Sequence, residues 1–163
     1  MSPDRKFLLS HPAHFLALGF GAGLMKRAPG TWGTLVAFPI FFLCDALAGT
    51  PAVVAAGAVL FVAGCYAAEV TGRDLGVSDH GGIVIDEIAA FLLVLACAPP
   101  WRGGLVLAFV LFRVFDIAKP WPIGWADRSI KGGFGVMFDD LLAAGYAILG
   151  LLGARYLLNG GSL

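Results

Sequence analysis

Acidic side chains in this sequence come in pairs beside glycine turns, and converging acids are what a hard divalent cation requires. The first group is Asp79-His80-Gly81-Gly82, running into Ile83-Val84-Ile85-Asp86-Glu87. Two glycines permit a tight turn, and Asp79 is placed to cap the helix that the following apolar run predicts. Asp86 and Glu87 then fall about one turn inside that helix, with side chains roughly 100° apart. Ionised carboxylates set in an apolar run are costly unless something compensates them. Two compensations are open: a bound Mg²⁺, or an ion pair with Arg113 or Lys119.

The second group is Arg113, Asp116 and Lys119, whose three-residue spacing puts them on one face of a helix that Pro120 and Pro122 bring to a stop. A guanidinium and an ammonium flanking a carboxylate suit a metal-held phosphate, though the triplet alone also reads as an ordinary ion pair. The third group runs from Asp127 through Lys131-Gly132-Gly133 to Asp139-Asp140. It repeats the pattern of glycine turn, helix start and paired acids, with the acids expected in the first turn, where the helix dipole would also favour them. The fourth is Pro29-Gly30-Thr31-Trp32-Gly33-Thr34. Thr31 is expected to cap the next helix, whose free amides could accept an anion.

The elements that must position these residues are apolar. The chain has 163 residues, one domain's worth; 59% are hydrophobic and 13% charged, against about 45–50% and about 25% in a soluble domain. Five apolar runs follow, at 32–48, 52–68, 83–98, 104–117 and 136–158, all too long for strands and without period-two alternation. The predicted fold is all-α: a multi-pass transmembrane bundle of about five apolar helices, with an N-terminal segment and an interfacial segment around Trp121 and Trp125. Several runs are short of the roughly 20 residues a span takes, so a soluble bundle with very apolar helices is the alternative. The N-terminal stretch, interrupted by His11, Pro12 and His14, is expected to be retained rather than cleaved. Cys44, Cys65 and Cys97 lack metal or disulfide spacing and are expected to be buried apolar residues. Zero net charge and the absence of a basic run exclude nucleic acid as an expected partner.

If the runs alternate across a membrane, Arg5, Lys6, Lys26, Arg27, Arg73, Lys119, Arg128 and Lys131 fall on one side, leaving only Arg102 and Arg155 on the other. The richer side is the predicted cytoplasmic one. All the acid groups described above fall there too, with Asp45 as the exception.

Taken together, PGTWGT at 29–34, DHGGIVIDE at 79–87 and FRVFDIAKPWPIGWADRSIKGGFGVMFDD at 112–140 resemble the phosphatidylglycerophosphatase A family, over nearly the whole chain. The resemblance implies a Mg²⁺-dependent enzyme of the bacterial inner membrane that hydrolyses phosphatidylglycerophosphate to phosphatidylglycerol and inorganic phosphate. On that basis Asp86, Glu87, Asp116, Asp139 and Asp140 are the candidate metal ligands. His80, Asp79, Arg113 and Lys119 are the candidate catalytic residues, and Thr31, Thr34, Lys131, Arg113 and Lys119 the candidate substrate contacts. The runner-up function is a cation- or proton-coupled transporter, which would need ionisable groups near mid-membrane.

Overall fold

The computed structural model describes residues 3–101 and 103–158; Arg102, one of the two basic residues expected at the far end, lies outside them. Every element among the described residues is helical. Helices α1 (Arg5–Ser10) and α2 (Pro12–Ala17) are separated by His11, whose Nδ1 accepts the Ala13 N–H and so starts the second helix. A 3-10 turn (Gly19–Leu24) then leads to α3 (Pro29–Leu75), α4 (Ile85–Ala96), α5 (Gly104–Ala118), the short α6 (Ile123–Ser129) and α7 (Gly132–Leu158).

The 47 residues of α3 are not one rod. At Ala48 and Gly49 the backbone leaves helical values, with Gly49 at φ 69°, ψ −164°, a conformation that suits glycine. Gly33 and Phe38 in the first arm pack on Val84 and Phe91, while Gly57 and Gly64 in the second pack on Leu93 and Ile85. The two arms therefore run in opposite directions along α4. A Cβ at Gly33 would come 2.7 Å from Val84 Cβ, so that contact needs glycine, while at Gly57 and Gly64 it would meet the flexible ends of Leu93 and Met137. Beyond Glu87, helix α4 is apolar and largely buried, with Ile88, Phe91, Leu92 and Val94 fully covered.

Helices α5 and α7 pack antiparallel beside this unit, with Leu111 against Gly150 and Phe115 against Tyr146. One end of the bundle thus collects the starts of α3, α4 and α7 and the end of α5. The other gathers Asp45, Thr50, Pro99 and Trp101.

Among the described residues two helices, α3 and α7, are long and apolar enough to cross a membrane. The expected count of about five is not met on that measure, since α4 and α5 have only 12 and 15 residues against the roughly 20 of a straight crossing. The most apolar windows of α3 and α7 are only 11% and 22% buried, the reverse of core helices in a soluble bundle. Three smaller expectations also change. Helix α3 starts at Pro29 with Ala28 as N-cap, so Thr31 lies within its first turn and caps nothing. Helix α4 starts only after Val84, which leaves Asp79 too early to cap it. Cys97 is exposed, because it falls at the C-terminal cap of α4 rather than within the helix.

Candidate active site

The site grows from the first turn of α4. The Val84 N–H bonds to the Ala17 carbonyl at 2.9 Å, which pins the start of that helix to the N-terminal segment. Asp86 and Glu87 follow at once. Glu87 lies over the backbone of Gly30 so closely that a Cβ there would overlap its carboxylate. Asp140 arrives from α7, and the three acids offer oxygens that all lie within 4.8 Å of one another. Helix α7 begins at Gly132, earlier than expected, so Asp139 and Asp140 sit about two turns inside it, beyond much help from the helix dipole.

One guanidinium serves this group. Arg113 Nη1 lies 2.6 Å from Asp116 and 3.7 Å from Glu87, and donates to Thr34 Oγ1 at 3.3 Å. Thr34 in turn donates to the Gly30 carbonyl at 2.9 Å, which fixes the acceptor that Arg113 uses. Asp116 also lies within hydrogen-bonding reach of Asp140. Even so, Asp86 Oδ1, Glu87 Oε2 and Asp140 Oδ2 are buried without a hydrogen-bond partner, as is Arg113 Nε. Three neighbouring acids, each with an orphaned oxygen, fit a divalent cation, which would remove the cost of burying them unpaired. The free Nε is a donor to spare for an anion beside it.

A second group forms next to the first. Lys119, at the end of α5, lies 2.7 Å from Asp127 and 2.5 Å from Asp139, and Asp79 and Lys131 line the same small recess with those two acids. Lys131 donates to the Asp127 carbonyl at 3.1 Å. Asp139, expected among the metal ligands, is thus turned towards an ammonium and away from Asp140's partners. Lys119 itself has φ 42°, a left-handed backbone that its two acid contacts help to hold. Partial burial works against its charge, but the hydrogen bonds it donates to Asp127 and Asp139 outweigh burial and raise its pKa above the ordinary lysine value. The sign is that of a raised base: the stabilisation is complete below the unfolded lysine value of about 10.4 and is lost only as pH climbs through the higher folded one. Lys119→Met should therefore lower the melting temperature across the whole neutral range, and the loss should shrink only in strong alkali; thermal melts from pH 6 to 11 test this.

His80 stands apart from both groups, in a trough with Lys26 and Pro29, where its Nδ1 accepts the Gly82 N–H at 3.0 Å. Thr31 is half-buried, one residue from Gly30. Two contacts had no signal in the sequence pattern. The Glu69 carboxylate accepts the Gly133 N–H at 2.6 Å and caps the start of α7. His14 is buried between Thr71 at 3.0 Å and Asp74 at 3.3 Å, tying α2 to the end of α3. Residues 57 positions apart give no periodicity to read.

Gly30 offers a direct test of the packing. Gly30→Ala would force the Glu87 carboxylate out of place, so catalytic activity should fall about tenfold or more with a melting-temperature loss of a few degrees at most. Unchanged activity would show that Glu87 is not held where the reaction needs it.

Buried acids opened to one end of a helical bundle, with a guanidinium and an ammonium at hand, are the equipment of a helical phosphoric monoester hydrolase, and the relatives of the chain belong to that class. A family model described as phosphatidylglycerophosphatase A matches residues 15–155, and the chain belongs to that family. It is 43% identical over 157 residues to "Phosphatidylglycerophosphatase A" of Haemophilus influenzae, covering 95% of this chain and 96% of that protein. It is 42% identical over 139 residues to the protein of the same name from Escherichia coli, covering 83% and 78%. A "Putative phosphatidylinositol-3-phosphatase" of Bacteroides thetaiotaomicron is 36% identical over 151 residues, 88% of this chain and 94% of that one. No solved structure matches.

Proposed function

We propose that this chain hydrolyses the terminal phosphomonoester of phosphatidylglycerophosphate, giving phosphatidylglycerol and inorganic phosphate, with Mg²⁺ as cofactor. The observation that carries the reading is the convergence of Asp86, Glu87 and Asp140, each with a buried partnerless oxygen, beside the free Nε of Arg113. Those three acids, with Asp116 next to them, would hold the metal; when bound, it would supply positive charge against the phosphate and a more acidic water. Arg113 and Lys119 bind phosphate oxygens and oppose the charge that spreads over them as the bond breaks. Thr34 orients Arg113 through its hydroxyl. Water oxygen attacks phosphorus, the bond from phosphorus to the glycerol oxygen breaks, and that oxygen takes up a proton. That proton comes from solvent water, since His80, a candidate for the role, stands apart from the acids with its Nδ1 accepting from Gly82.

The bundle is read as embedded in the bacterial inner membrane as a multi-pass protein, with the acid end at the cytoplasmic leaflet. Apolar outer faces on α3 and α7 and bacterial relatives support the membrane, and the basic residues crowded at the acid end support its orientation. Trp121, 80% exposed, and Trp125 at the start of α6 suit the headgroup layer. A transporter is the poorer reading, because the middles of the two arms of α3 and of α7 carry no acidic or basic residue.

The test is phosphate release from phosphatidylglycerophosphate by the purified protein in detergent. Release is expected with Mg²⁺ and is expected to vanish with a chelator. Release that survives chelation would remove the metal from the mechanism, and no release from this lipid would remove the substrate.

A further inference from the structure

A large recess lies outside the acid groups. It is a trough of about 800 Å³ between α1, the 3-10 turn and the outer face of α3, walled by Leu8, Leu9, Phe20, Trp32 and Val36, with Arg5 at its edge. A second recess of about 490 Å³ shares Pro3, Leu24 and Met25 with it and runs on to Lys26, Pro29 and His80. The two therefore form one channel, apolar at its outer part and basic where it reaches Pro29, one residue from the Gly30 on which Glu87 rests. Both volumes fall in the range of small-molecule sites, and walls that are mainly apolar with a few polar groups are the usual make-up of such sites.

The geometry points to this channel as the seat of the substrate's diacylglycerol part, with one acyl chain along Leu9, Phe20 and Trp32 and the bridging phosphodiester near Lys26. This rests on the lipid-phosphatase reading and adds to it a defined place for the part of the lipid that does not react. Three observations favour that occupant over a protein segment. The channel opens along the apolar flank of α3, where membrane lipid would lie. Its lining carries two cations, Arg5 and Lys26, against the single acid Asp4, which suits an anionic lipid. And it leads to the acids, as a ligand with an apolar tail and an anionic head requires. Binding energy from such an unreactive part steadies the headgroup for reaction.

Leu9 is 74% exposed and Met25 47%, so a carboxylate at either position is compatible with folding. Leu9→Glu and Met25→Glu would be compared with wild type on dioleoyl phosphatidylglycerophosphate in micelles and on its deacylated headgroup, which keeps both phosphates and has no chains. The KM for the long-chain lipid should rise about tenfold, the worth of one buried apolar side chain, with turnover of the deacylated headgroup within twofold of wild type. Val77→Glu, equally exposed at the same end but outside the channel, should change neither. Lys26→Glu should raise KM for both compounds, since both carry the bridging phosphate. Equal effects of Leu9→Glu on the two substrates, or no effect on either, would overturn the acyl site while leaving the phosphatase reading in place. Wild type inactive on both compounds would instead overturn the reading on which the site depends.

Discussion

Asp140→Asn is expected to cut phosphate release by on the order of a hundredfold to a thousandfold while leaving the protein at least as stable as wild type without metal. The two halves of that result come from one cause. Asp140 Oδ2 is buried and unpartnered, close to Asp86 and Glu87, so a neutral amide of the same shape relieves charge crowding in the empty site. The same change removes a metal ligand, and losing even an outer contact to a bound metal typically costs ten- to a hundredfold in affinity or activity. A thermal melt separates this from simple damage. Wild type should gain about 2.7 kcal/mol of stability at a Mg²⁺ concentration a hundred times its dissociation constant, and the variant should gain almost none at that concentration. A variant that keeps both activity and the Mg²⁺ shift would show that these acids do not form a cation site.

Arg113→Ala should be the most damaging single change to the fold as well as to the reaction. Arg113 is the only cation within ion-pair distance of Asp116 and Glu87 among the described residues, and it is itself mostly covered. Truncating it strands two covered carboxylates, a loss of about 3–5 kcal/mol by analogy with broken buried pairs. Arg113→Lys should recover part of that stability, since the charge returns. It should not recover activity, because an ammonium has no second nitrogen to leave free for the phosphate as Nε is here. Measuring melting temperature and kcat on both variants tests the split. Full activity in Arg113→Lys would mean that only the charge matters at this position.

Much of the fold can be read from where apolar runs start and stop, and what cannot be read has physical reasons. The run boundaries at Gly49-Thr50-Pro51 and Pro99-Pro100 appear in the structure as the break in α3 and the end of α4. The misplaced caps came from equating a helix start with the start of its apolar run. Pro29, pre-set for a first helical position, draws α3 forward, while the turn through Gly81 and Gly82 delays α4 until Ile85. The paired acids show the same limit at the site. Asp139 and Asp140 read as one pair because they are neighbours in sequence, but neighbours on a buried helix point to different partners, so Asp140 joins Asp86 and Glu87 and Asp139 joins Lys119. Asp86 and Glu87 diverge by the same angle and yet converge, the longer glutamate reaching back to its neighbour. No pattern in the sequence tells these two outcomes apart, because the difference lies in what each helix faces.

The covering of α4 on nearly every side bears on how the protein is made. A 12-residue rod that meets only other helices gains nothing from lipid and is too short to hold itself in a bilayer. The two arms of α3 leave the ribosome first, and the glycines along them form a ready slot. The segment carrying Asp86 and Glu87 can settle there before α5 and α7 are made, and the acids' surroundings are completed only when Arg113 and Asp140 follow.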